Sequence, residues 1–272
     1  MKQARRKKTF LDLTLYIVLI GGIVLTTGFG ISLFISGQEV TEEVDKKVSR
    51  DVDYLQAFID GNLNIIETVA HSLGSMLFGD LVTDDSGNAC IILSDSLPKA
   101  SPQKIYAAMT KFVTANPAVC GIAIEFDPSI YPEVKSKYGF TPYVTNVSGE
   151  LLSHDLGEMT YSFDWEWYKV TSELGHGYWA SPFQDSSIGH VIACYSVPVL
   201  RDGSVYAVIA VDIDTEAFTR KCAEISPYPN AQVALLDRNF NFISHPDPGY
   251  LMKNVSDFEE ENAVFQRDVT TL

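Results

Sequence analysis

The residues best equipped for chemistry are gathered in one stretch, FDWEWYKVTSELGHGYWASPFQD, residues 163–185. Trp165, Trp167 and Tyr168 fall within four positions, Tyr178 and Trp179 follow about ten positions on, and the stretch closes on Phe183 and Asp185. Aromatic faces beside a carboxylate serve either as core packing or as the wall of a pocket that grips something small. Enzyme signatures are missing. His71, His154, His176, His190 and His245 form no HExxH or other metal-ligand pair, and Cys90, Cys120, Cys194 and Cys222 have no CxxC spacing. There is no GxSxG elbow, Cys–His nucleophile signature or Gly-rich phosphate loop. No catalytic residue, no metal ligand and no cofactor is therefore expected. Paired carboxylates for glycoside hydrolysis stay open, since the chain holds 35 Asp and Glu.

Something must carry and place this stretch. The chain has 272 residues, 46% of them hydrophobic, which is ample for a core, and a net charge of −15. The charge is unevenly spread. Lys2, Arg5, Arg6, Lys7 and Lys8 precede the first apolar run, while all but one of the acidic residues follow its start. An acidic surface repels phosphates, so nucleic acid is excluded as a partner. Leu13 to Ile35 is an uncharged run of 23 residues, LTLYIVLIGGIVLTTGFGISLFI. As a helix it spans the roughly 30 Å of a bilayer core. Basic residues before it predict a cytoplasmic tail over 1–12, a transmembrane helix over 13–35 and an extracytoplasmic remainder. A cleaved signal peptide fits less well, because its apolar region is shorter, about 7–15 residues, and FISGQ is a poor cleavage site.

Residues 36–78 read as a long stalk helix, with Val40, Val44, Val48, Val52, Leu55, Ile59, Leu63, Ile66, Ala70, Leu73 and Leu77 recurring every three or four positions. That stripe must be buried, on a second copy of the chain in its first half and on the following domain in its second, so a homodimer is expected. Residues 79–103 read as loop, and SPQKIYAAMTKFVTANP as a short helix with Ser101 as its cap. Strands are expected at AVCGIAIEF (118–126), at TPYVTNV (141–147) near an edge, and at GYWASPFQD, interrupted by Pro182. Two more, HVIACYSVPVL and SVYAVIAVDID, are joined by the turn RDG. A helix capped by Ser162 or Asp164 lies between the strands, another covers 215–225, and a second hairpin spans 231–246. The fold class is α+β, a mostly antiparallel five-stranded sheet with helices inserted. Cys120 and Cys194, inside apolar runs, read as small buried hydrophobes.

The phrases NPAVCGIAIEFDP, DWEWYKV, GYWASPFQD, VIACYSVPVLRDGSVYAVIAVDI and LLDRNFNFISHPDP, in this order, resemble the double Cache sensor domains of bacterial transmembrane receptors over about residues 38–250. The resemblance implies a PAS-like membrane-distal module over 79–226 and the start of a membrane-proximal one over 227–272, the chain stopping short of a second transmembrane helix. It implies the ligand-sensing input region of a receptor in the inner membrane, with no enzyme activity in this region. The alternatives are a membrane-tethered hydrolase and an adhesion module without a small-molecule ligand.

Amino-acid-sensing members of that family carry Arg-x-Trp-Tyr, then Tyr-x-Asp, then an Asp near the end of the last strand. Trp167 and Tyr168 match the Trp-Tyr pair, Asp185 the middle Asp and Asp212 the last one. Trp165 stands where the Arg is expected and Phe183 where the Tyr is expected. Arg forks onto a carboxylate through two charge-assisted bonds, and Trp offers one neutral donor. The resemblance with these departures therefore implies a small polar ligand, an amine or other cation before an amino acid, although Lys169 could supply a positive charge. Trp165 is either a ligand contact or core filling, Asp212 either a ligand contact or a helix cap, and Tyr195 lies mid-strand facing either side. Tyr178 and Trp179 read as strand packing.

Overall fold

A computed structural model describes residues 16–20, 37–160, 162–186, 188–225 and 232–258. The described residues divide into two compact units, one built on 62–214 and the other on 16–20, 37–61 and 215–258. In chain order the elements are β1 (Tyr16–Ile20), α1 (Gly37–Leu77), β2 (Gly79–Thr83), β3 (Ala89–Leu93), α2 (Pro102–Ala115), β4 (Gly121–Phe126), β5 (Pro142–Val147), β6 (Glu150–Asp155), α3 (Glu166–Leu174), β7 (Tyr178–Trp179), β8 (Phe183–Asp185), β9 (His190–Arg201), β10 (Ser204–Asp214), α4 (Glu216–Ile225), β11 (Gln232–Leu236) and β12 (Phe242–Ser244). The class is α+β, as the sequence predicts.

The first unit is one sheet in the order β2-β3-β9-β10-β4-β5-β6, with β7 and β8 both pairing β9. Every pairing is antiparallel except β3 with β9. The five-stranded expectation falls short, because β2, β3 and β6 were not foreseen, while β5 lies near an edge as read, beside the edge strand β6. The reason is exposure. Leu81, Val82 and Ile92 on β2–β3, and Leu151 and Leu152 on β6, stay largely in solvent. β2 and β6 lack the burial that makes a strand legible, and β3, which does bury Ala89 and Ile91, sits in a stretch rich in Gly, Ser, Asp and Pro. A tight turn joins β2 to β3, Asp84 accepting from the backbone N–H groups of Ser86 and Asn88 at 2.8 Å each.

The three central strands bury both faces. Ile122, Ile124 and Phe126 of β4, with Ile209 and Val211 of β10, alternate onto the side covered by α1. There Leu63, Ile66, Ala70 and Leu73 of α1 are buried, Phe78 meets Phe126 edge to face, and Gly74 lies close against Ile91 and Ile209. Helix α2 packs on β4 and β5, capped by Ser101 as predicted. The opposite face carries small residues instead, namely Gly121, Ala123, Cys194 and Ala210. On that same face Glu125 is fully buried and accepts from Thr141 Oγ1 at 2.8 Å and from Ser162 Oγ. Ser162 thus serves Glu125 rather than capping α3.

In the second unit α4 packs on β11 and β12. Phe242 forms the core with Ala234, Leu236 and Val255. His245, Tyr250 and Phe258 stack in series, with ring centroids 4.2 Å apart at each step. Phe58 of α1 meets Phe218 of α4 edge to face. β1 pairs antiparallel with β11, so Tyr16–Ile20 is strand where a membrane helix was expected. YIVLI is rich in the branched and aromatic residues that a strand edge also accepts, and periodicity cannot separate the two for so short a run. Residues 13–15 and 21–35 of that expected helix lie outside the described residues. Among the described residues no helix is long and apolar enough to cross a membrane.

Burial outweighs the two hydroxyl bonds and pushes the Glu125 carboxyl up to about 7. A carboxyl raised in the folded state contributes stability below its ordinary value and loses it as pH rises through the folded value. Glu125→Gln should therefore gain on the wild type as pH rises from about 4 to about 8, by on the order of 3 kcal/mol. Urea unfolding across that range measures it, and a pH-independent difference would refute the assignment.

Candidate functional site

The small-residue face of the sheet leaves a cavity of about 620 Å³. Ala123, Tyr143, Cys194, Ala210 and Asp212 form its floor, with Trp165, Glu166 and Trp167 of the α3 start and residues 181–186 above them. Local structure fixes these pieces. Trp165 is the N-cap of α3 in extended conformation and makes no side-chain cap bond, while Gly175 ends the helix in the left-handed region. Pro182, with no N–H to donate, separates β7 from β8 on the same partner strand. Glu166 Oε1 pins that segment to α3 by accepting from Tyr178 Oη (2.8 Å), Ser181 N (3.1 Å) and Ser181 Oγ (3.1 Å).

At the floor Tyr143 Oη stands between two acids, 2.8 Å from Asp185 Oδ2 and 3.2 Å from Asp212 Oδ2. Asp212 is only 4% exposed, and burial pushes its carboxyl up to about 7. The nearby Asp185 adds to that rise, and bonds from Cys194 and Tyr143 oppose it. Burial, with Asp212 and Asp185 alongside, drives the Tyr143 hydroxyl well above its ordinary value, so it is a neutral donor. Burial likewise raises the thiols of Cys120 and Cys194. They are free but unreactive, as the reading of buried hydrophobes requires.

Of the residues singled out from sequence, the structure places Trp165, Trp167, Phe183, Asp185 and Asp212 on the cavity wall. Trp165 is 39% exposed at the rim and Trp167 is buried at 4%. Asp212 points into the cavity and does not cap α4. Tyr168 is off the wall and packs edge to face on Phe163 and Trp167. Tyr195 is also off the wall. Its neighbour Cys194 faces the cavity, so Tyr195 turns to α1, where its hydroxyl meets His71 Nε2 at 3.0 Å and its ring lies against Trp179. Trp179 is packing, as read, and its Nε1 donates to Glu67 Oε1 at 2.8 Å. Lys169 is exposed and off the wall. Sequence reasoning missed Tyr143, Glu166 and Cys194. The alternation of small and large residues in GIAIEF was the available signal, since Gly and Ala at one phase of a buried strand leave room for a neighbour's ring.

Residues 105–220 match a family described as methyl-accepting chemotaxis protein-like, first PDC sensor domain. The fold is shared with solved structures of low identity. Methyl-accepting Chemotaxis protein X has a TM-score of 0.66 and 17% identity, with 86% of this chain and 84% of that chain covered. The extracellular domain of soHK1S-Z6, described as a histidine kinase, has a TM-score of 0.66 and 18% identity, with 86% and 82% covered. The ligand-binding domain of the Pseudomonas aeruginosa PAO1 amino acid chemoreceptor PctC, in complex with GABA, has a TM-score of 0.53 and 15% identity, with 81% and 82% covered. No curated protein matches. Residues 105–220 are thus similar to a PDC sensor domain, and the fold is shared with receptor sensor domains.

A Cβ on Gly121 would lie 2.7 Å from Asp212 Oδ2 and 2.9 Å from Tyr143 Oη. Gly121→Ala should force the acid and the ring apart and cost about 1–3 kcal/mol in urea unfolding. An unchanged midpoint would mean that the floor is looser than described.

Proposed function

We propose that this chain is the extracytoplasmic input region of a membrane signal-transduction receptor, and that its cavity binds a small cation or amine. One observation carries the ligand class. Among the described residues three acids, Glu166, Asp185 and Asp212, line the cavity, and no Lys, Arg or His does. A ligand carboxylate buried there would lack a counter-charge, at a cost of several kcal/mol by order of magnitude. An ammonium group gains ion pairing and the faces of Trp165 and Trp167, the latter contact worth about 0.5–2 kcal/mol. PctC, which shares the fold, holds GABA in its solved complex, which supports small-molecule binding by this architecture.

The region performs no chemistry of its own. Ligand binding shifts the population between two packings of sheet on α1, and only a difference in affinity for the two can do so. Cys194 on the cavity wall adjoins Tyr195, and Ser181 follows two positions after the β7 residue Trp179; the polar tips of Tyr195 and Trp179 reach His71 and Glu67 of α1. The stalk carries the change to a homodimer mate, and the run Leu13–Ile35 anchors the chain in the inner membrane with residues 1–12 on the cytoplasmic side. Carbonate extraction tests the anchor. The full chain should stay with membranes, and a chain lacking 1–36 should leave them. Release of the full chain would favour the strand placement of Tyr16–Ile20 alone.

Thermal unfolding of the full chain in detergent, against amines, amino acids, organic acids and sugars, tests the ligand class. A binder at 100 times its Kd adds about 2.7 kcal/mol. The shift is expected with amines and should vanish in Asp185→Asn and weaken in Trp167→Ala. Amino acids shifting the midpoint while amines fail would overturn the reading, and turnover of a glycoside would replace it with a hydrolase. Trp165→Arg places a guanidinium at the rim and should add a response to α-amino acids.

A further inference from the structure

Tyr143 has one hydroxyl hydrogen and two carboxylate oxygens to satisfy, Asp185 Oδ2 at 2.8 Å and Asp212 Oδ2 at 3.2 Å. The hydrogen points along one line, so it serves the nearer oxygen and turns oxygen lone pairs toward the farther one. With two charged carboxylates, the Asp212 contact sets lone pair against lone pair in a buried position. A proton on Asp212 resolves this, because Asp212 then donates to Tyr143 Oη and Tyr143 donates to Asp185. Among the described residues no Lys or Arg faces Asp212 from the elements packed on it. β9 brings the Cys194 thiol and His190, which pairs with Asp185 in register and whose Nδ1 lies 2.8 Å from Asp214 Oδ2; the segment before β4 brings the Cys120 thiol, β5 Tyr143, β8 Asp185 and α3 the cavity-lining Glu166. Burial acts in the same direction and lifts the Asp212 carboxyl to about 7.

We propose that Asp185, Tyr143 and Asp212 form a proton-exchanging ligand site, in which the ligand-free triad holds one proton on Asp212 and a cationic ligand expels it on binding. The O–H bond of Asp212 breaks, its electron pair stays on the carboxylate, the proton leaves to water, and the cation takes over the neutralising role. Tyr143 is the positioning residue, since it fixes the spacing of the two acids and orders the proton between them. This rests on the cation reading of the cavity and narrows it. Permanent cations, and amines that stay protonated above neutral pH, drive the exchange. Neutral polar molecules do not. Affinity for a cation is full above the Asp212 value and falls as pH drops through it, because the proton competes.

The ligand-free half of the test uses the full chain with 13C-labelled aspartate carboxyls. One signal should titrate near neutral pH, be lost in Asp212→Asn, and shift in Tyr143→Phe, which removes the phenol between the two acids. The ligand half is calorimetry of wild-type protein with ethanolamine and with choline, in two buffers of different ionisation enthalpy. About one proton should be released per cation at about pH 6, with affinity falling about tenfold per pH unit below neutral. This second measurement needs no variant to fold. An Asp212 carboxyl charged throughout about pH 5–8 overturns the proposal outright. Binding without proton release overturns the exchange and leaves the cation reading standing. A neutral titration with neither cation bound sinks the cation reading, and the exchange with it.

Discussion

A strand turns alternate side chains to opposite sides, and the first unit depends on how β4, β9 and β10 use that rule. On the α1 side they carry Ile122, Ile124, Phe126, Val197, Ile209 and Val211, all buried, which make the helix–sheet seam. On the other side they carry Ala123, Cys194 and Ala210, too small to fill the space beneath α3, and Gly121, which makes room for Tyr143 and Asp212. Removing bulk from one face while keeping it on the other creates a cavity without weakening the seam. Enough apolar contact remains behind the cavity to hold a floor that includes two acids and a phenol.

The floor is costly ground for a carboxylate, which is why Asp212 and Glu125 both have raised values. The two acids are treated differently. Glu125 is closed in by two hydroxyl donors and lies off the cavity wall, so it is a structural group. Asp212 opens on the cavity and shares the Tyr143 hydroxyl with Asp185, so its surroundings are completed by whatever enters. Buried polar groups with a full set of partners rigidify a fold, and those with an incomplete set are places where binding energy can be gained.

The helix stripe, the RDG hairpin, the buried run at β4 and the Ser101 cap were legible, because each is a local pattern with a physical cause. The flanking strands β2 and β6 were not, since Leu81, Val82, Leu151 and Leu152 remain exposed, and the short alternation of β3 is lost among turn residues. Within the site, Trp167, Asp185 and Asp212 were named through a family resemblance, and the geometry brings them to one cavity. Tyr195 illustrates the limit. Its side of β9 was fixed by register against β10 and β7, a long-range property that no window around VIACYSVPV contains. Tyr143 was overlooked for a related reason. Only strand pairing sets it beside Gly121 and places its hydroxyl between acids from β8 and β10.

The division of labour between the two faces also bears on how such a chain can change over generations. Positions 123, 194, 210 and 212 sit in the same strands as the seam residues yet belong to a separate phase of the alternation. Substitutions at that phase alter the size and charge of the chamber while the phase that carries stability is untouched. Ligand preference can therefore drift by single steps without passing through unfolded intermediates, and lineages that meet different chemicals can diverge at the floor while keeping the same packed back.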